Sequence, residues 1–133
     1  MVVFNDRSKD WALYDNSDYY ETKSIGEILD YSFLFLTKLS DYLIDKNIKL
    51  SIVIYPHPTE LLHSNKDSRI VKRFKDFCNL RCNRLINLHD FFFDEIEKFG
   101  VIKTYKKYFI FRDNHLNKDG NKKFAEILIN IFE

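Results

Sequence analysis

Asp113 and His115 stand two residues apart in Phe111-Arg112-Asp113-Asn114-His115-Leu116-Asn117, between an apolar stretch and the start of an amphipathic run. A histidine acts as a general base when a partner fixes the proton on one ring nitrogen and leaves the other free to accept. An aspartate two positions earlier reaches that nitrogen if the loop curls, and Asn114, Asn117 and Gly120 let the chain turn sharply. The spacing alone favours a plainer assignment. An Asx-type turn with an exposed histidine, capping the last helix, needs the same residues.

Other residue types that could do chemistry are scattered. His57 follows an apolar run and sits between Pro56 and Pro58, where a residue of a ligand crevice, contacting substrate, would stand. His57, His63 and His89 with Asp90 come from different segments and lack the paired spacing of metal ligands, so no metal site is expected. Cys78 and Cys82 are four apart on a predicted helix, a spacing at which a disulfide would be strained, and two free thiols are expected. With no Cys-x-x-Cys pair and no glycine-rich phosphate loop, neither a structural zinc nor a nucleotide is implied, and no cofactor is expected.

The bulk properties narrow the class. The 133 residues suit one domain, and 45% apolar with 31% charged residues is a globular composition. The formal charge of +1 is spread along the chain, without the one-sided basic field that nucleic-acid binding uses. Arg69 to Lys75 is the densest basic patch and reads as the solvated face of a helix. The 13 Phe and 8 Tyr are most simply core packing, although Trp11, Tyr19 and Tyr20 could stack on sugar rings. No charged segment followed by an apolar stretch opens the sequence, and charges interrupt every apolar run before the ~20 residues of a membrane span. As written, the chain reads as cytoplasmic.

The elements that must position these residues follow from periodicity. Val2-Val3-Phe4 reads as a strand ending at Asn5-Asp6, and Ser8 to Thr22 as a loop. Ser24-Ile25-Gly26-Glu27 has the form of a capping box, and Ile25, Ile28, Leu29, Leu36, Leu39 and Leu43 recur at helical spacing toward Asn47. Ile48 to Tyr55 is a buried strand stopped by Pro56. A helix is predicted over 67–81, a strand over 84–88, a helix over 91–99 stopped by Gly100, and a last helix from about 117–120 onward. Tyr108 to Phe111 is left as a short apolar stretch. The alternation is that of a parallel sheet covered by helices, whose crevice lies beyond the carboxyl ends of the strands.

The segment Asp113-Asn114-His115-Leu116-Asn117-Lys118-Asp119-Gly120, followed by Phe124-Ala125-Glu126-Ile127-Leu128, closely resembles the C-terminal block of the SGNH (GDSL-type) hydrolases. In many members two residues separate the Asp from the His. Here Asn114 alone does, which looks like the branch associated with acylation of cell-surface polysaccharides. The resemblance implies His115 as general base and Asp113 as its orienting partner. Ile52 to Pro58 is similar to the family's fourth strand and following loop, Leu85 to Phe91 to its fifth, and Val2 to Asp6 to its third. The last would make Asn5 an oxyanion donor. The implied fold is a three-layer, flavodoxin-like parallel sheet with helices on both faces, lacking its first strands. The implied substrate is a small-molecule or carbohydrate O-acyl (acetyl) ester.

The family's nucleophile departs from the match. Its serine belongs to a Gly-Asp-Ser block, and none of Gly26, Gly100 and Gly120 is followed by Asp-Ser. A His–Asp pair without that serine polarises a water or hydroxyl but forms no acyl-enzyme. The expectation is therefore a single domain over 1–133 that begins at the third strand of a longer fold. Such a domain would self-associate through its exposed sheet edge, or be completed by a partner chain.

Overall fold

The computed structural model describes residues 18–20 and 23–133, with side chains from residue 24 onward. The predicted strand over 2–4 and Asn5 lie outside the described residues.

A short antiparallel pair, β1 (Asp18–Tyr20) and β2 (Lys23–Ser24), leads into α1 (Ile25–Asp45). The stretch read as a loop thus contains a strand. The capping box forms as expected: Glu27 N–H donates to Ser24 Oγ at 3.2 Å, and Ser24 N–H donates to Glu27 Oε2 at 2.7 Å. At the other end Asn47 adopts φ 56°, Asn47 N–H donates to Ile44 O, and Ile48 N–H donates to Leu43 O. This is a Schellman stop, with asparagine in the left-handed position that glycine usually takes.

β3 (Ser51–Ile54) and β4 (Arg84–Asn87) pair in parallel, Ser51 opposite Arg84 through Ile54 opposite Asn87. The crossover between them carries α2 (Pro58–His63) and α3 (Arg69–Arg81). After β4 come α4 (His89–Phe99), α5 (Val101–Tyr108) and α6 (Lys118–Phe132). The protein is α/β, with six helices and a two-stranded parallel sheet among the described residues. It is mostly helical, and β3 pairs with β4 alone among those residues. None of these helices is long and apolar enough to cross a membrane.

Two helices go beyond the sequence expectations. α2 begins at Pro58, a proline at the first helical position where its missing N–H costs nothing. α5 absorbs Tyr108, and Phe109 then forms an isolated bridge with Leu116. α4 starts two residues before the expected Phe91, and Asn87 Oδ1 accepts the His89 N–H at 3.1 Å.

The core gathers where these pieces meet, around Leu61, Ile86, Leu88, Phe92, Tyr105, Tyr108 and Phe109. α1 packs on α3 through Phe33, whose ring centroid lies 5.0 Å from Phe74 and 5.8 Å from Phe77. At the end of α3 the free-thiol expectation fails: Cys78 and Cys82 form a disulfide. Cys82 lies one residue past the helix with an extended backbone, so it is not held at helical geometry. The Cα atoms approach to 4.5 Å, within the range a disulfide spans.

Candidate functional site

The loop between α5 and α6 is closed at its base by the Phe109–Leu116 bridge and by Ile110 N–H donating to His115 O at 2.9 Å. Asp113 N–H donates back to Ile110 O at 3.0 Å, which makes a tight turn. Arg112, at its corner, takes the left-handed φ of 63°. A non-glycine residue in that region is uncommon and is held there by its surroundings.

Within this turn Asp113 Oδ1 is a three-fold acceptor. It receives Asn114 N–H at 2.5 Å, His115 N–H at 3.1 Å, and the His115 ring nitrogen Nδ1 at 2.6 Å. The hydrogen bond from the His115 ring, followed by the two backbone N–H groups, holds the Asp113 carboxyl below the usual aspartate range. An ionised Oδ1 can only accept, so the imidazole proton sits on Nδ1. In the neutral ring Nε2 then carries the lone pair, on a side chain 79% exposed to solvent. The pair is oriented to accept a proton from an incoming hydroxyl or water.

The two assignments open from the spacing turn out to be compatible. Asp113 does form an Asx-type turn, through the His115 N–H, and the same oxygen binds the ring. It does not cap the last helix. Asn117 has that role, its Oδ1 accepting Gly120 N–H at 2.9 Å. Asn117 also donates from its amide to Lys107 O and Phe109 O, tying the start of α6 to the end of α5.

His57 belongs to the same region. It stands three residues beyond the end of β3 and caps α2, with Nδ1 accepting Thr59 N–H at 3.2 Å and lying 3.1 Å from Thr59 Oγ1. Glu60 completes the capping box, its Oε2 accepting His57 N–H at 2.9 Å. With Nδ1 accepting, the ring proton is on Nε2, and the side chain hydrogen-bonds Asn114. Burial pushes the His57 pKa down, against the Glu60 charge and the Asn114 contact, so the ring stays neutral at pH 7. The structure therefore brings His57 against the Asp113–His115 loop at the carboxyl end of β3. That is where an open α/β sheet places its crevice.

His89 lies two residues past the end of β4, is buried at the first position of α4 and stacks on Phe93. Its Nε2 lies 3.6 Å from Glu60 Oε1. Asn5 lies outside the described residues. No cluster of three or more His, Cys, Asp or Glu residues among the described ones could hold a metal ion.

Three residues of the site were not singled out by sequence. Thr59 and Glu60 were signalled by His57-Pro58-Thr59-Glu60, a capping box with proline at the first helical position, obscured because histidine is a rare cap. Tyr105, under the loop, was signalled by Val101, Thr104, Tyr105 and Tyr108, which recur at the spacing of one helix face.

No family model, curated protein or solved structure matches this chain.

Proposed function

We propose that this chain is an SGNH-like hydrolase or acyltransferase domain acting on O-acyl esters, with carbohydrate esters as the substrate class. In this reading the parallel pair β3–β4 belongs to a three-layer, flavodoxin-like sheet. His115 is the general base and Asp113 its orienting carboxylate. The observation that carries the reading is the 2.6 Å contact between His115 Nδ1 and Asp113 Oδ1, which leaves Nε2 open to solvent. His57, on the rim of the same loop, is a substrate-side residue, and Asn5 is the oxyanion donor.

In a complete site a serine hydroxyl attacks the ester carbonyl while His115 Nε2 takes its proton and returns it to the departing alcohol. Hydrogen-bond donors around the tetrahedral oxygen carry the developing charge. The chain has no Gly-Asp-Ser block to supply that serine. The His–Asp pair on its own activates water, a weaker base-catalysed route to the same products.

A fluorophosphonate probe and a short-chain nitrophenyl ester test this reading. Turnover above buffer by folded protein supports it. Labelling of a serine, on this chain or on one that co-purifies, identifies the nucleophile. Folded protein with neither turnover nor labelling favours a second reading, a binding module that keeps the fold without the reaction. The missing Gly-Asp-Ser block is the observation on that side.

A further inference from the structure

We infer that Tyr105 is the positioning residue of the Asp113–His115 pair: its buried hydroxyl clamps the Ile110–Asp113 turn from below and so sets the Asp113 carboxylate toward the His115 ring. The inference rests on the reading of that pair as an acid–base dyad.

Tyr105 is 2% exposed and projects from α5, the rigid element that precedes the loop. Its ring stacks on Phe109 at 5.7 Å between centroids, which fixes where the hydroxyl can reach. That hydroxyl lies 2.9 Å from Ile110 O, 3.2 Å from Asp113 O and 3.2 Å from Asp113 N. A phenol has one proton to donate and lone pairs to accept with, so it can donate to a carbonyl and accept the Asp113 N–H together. One side chain thus holds both ends of the turn, at the residue whose carboxylate orients the base.

The clamp has a reason to exist. Arg112, inside the turn, occupies the left-handed region, which a residue with a Cβ rarely adopts. With the Tyr105 hydroxyl gone the turn keeps only its own Asp113 N–H to Ile110 O bond, and Asp113 Oδ1 shifts off the two N–H groups and the ring nitrogen it now binds. The side chain of His115 is mostly exposed, so little packing would hold the pair together instead.

Tyr105→Phe removes the hydroxyl and keeps the ring. Tyr108→Phe is the control, because Tyr108 is equally buried and its hydroxyl serves Glu95 Oε2 at 2.7 Å, outside the loop. The readout is the titration of the Asp113 carboxyl carbon followed by NMR. In the wild-type protein its midpoint lies below the ordinary aspartate value of about 3.9. Tyr105→Phe is expected to move it back toward that value, while Tyr108→Phe leaves it in place. If nitrophenyl ester turnover is present, Tyr105→Phe should lower kcat with little change in KM. An Asp113 titration unchanged in folded Tyr105→Phe overturns the inference. The titration needs no turnover, so an inactive wild-type protein with a depressed Asp113 midpoint would remove the proposed function and leave the clamp standing.

Discussion

His115 binds Asp113 Oδ1 twice, through its ring at 2.6 Å and through its own backbone N–H at 3.1 Å. The two bonds share one acceptor, so the turn that fixes the carboxylate also presents it to the ring. Backbone geometry and tautomer are set together, which a free histidine on a solvated loop would lack.

His57 gives the site a dependence on pH. Its folded-state pKa is lowered by burial, below the unfolded value near 6.5, so the unfolded chain takes up the proton first. Stability is whole above about pH 6.5 and weakens as pH falls through that value toward the folded one. Urea midpoints measured from neutral to mildly acidic pH should show this loss in the wild type and a smaller one in His57→Gln. Parallel curves for the two proteins would contradict it.

Gly120 is required for space rather than for backbone freedom. It lies in the first turn of α6, and a Cβ there would overlap the Tyr108 carbonyl oxygen and stand 3.1 Å from Leu116 Cβ. The same carbonyl accepts the Asn117 N–H at 2.9 Å, so α6 cannot retreat without breaking its own anchorage. Gly120→Ala should cost about 1–3 kcal/mol, as overpacking does. Chemical denaturation checks it, and a variant as stable as the wild type would show that α6 docks more loosely than described.

The Cys78–Cys82 bridge closes a very short loop at the end of α3. Chain entropy for so short a loop is worth about 2 kcal/mol, near the low end for disulfides. Adding reductant should lower the urea midpoint of the wild type and leave Cys82→Ser unaffected. Alkylation of both thiols in unreduced protein would contradict the pairing.

Much of this arrangement was legible in the sequence where a local rule decides it. The capping box at Ser24, the stop at Asn47 and the strand over Arg84–Asn87 follow from patterns a few residues long. The Asp113–His115 pair was legible as a candidate, but its geometry depends on Tyr105 and on the left-handed Arg112, a contact across eight residues and a conformation no propensity foretells. α5 was missed because only its inner face is patterned, with Ile102, Lys103, Lys106 and Lys107 turned elsewhere.

In the proposed function His115 acts as a base because Asp113 orients it. The most direct measurement is hydrolysis of a nitrophenyl acetate by wild type, His115→Gln and Asp113→Asn, each shown to be folded. The rate should fall by about 10²-fold or more in His115→Gln, as loss of a general base predicts. Asp113→Asn should lose much of that rate as well, because an amide can present its NH₂ to Nδ1 and turn the ring to the wrong tautomer. A wild-type rate retained in Asp113→Asn would contradict the account, since the short contact would then orient nothing that matters to the reaction.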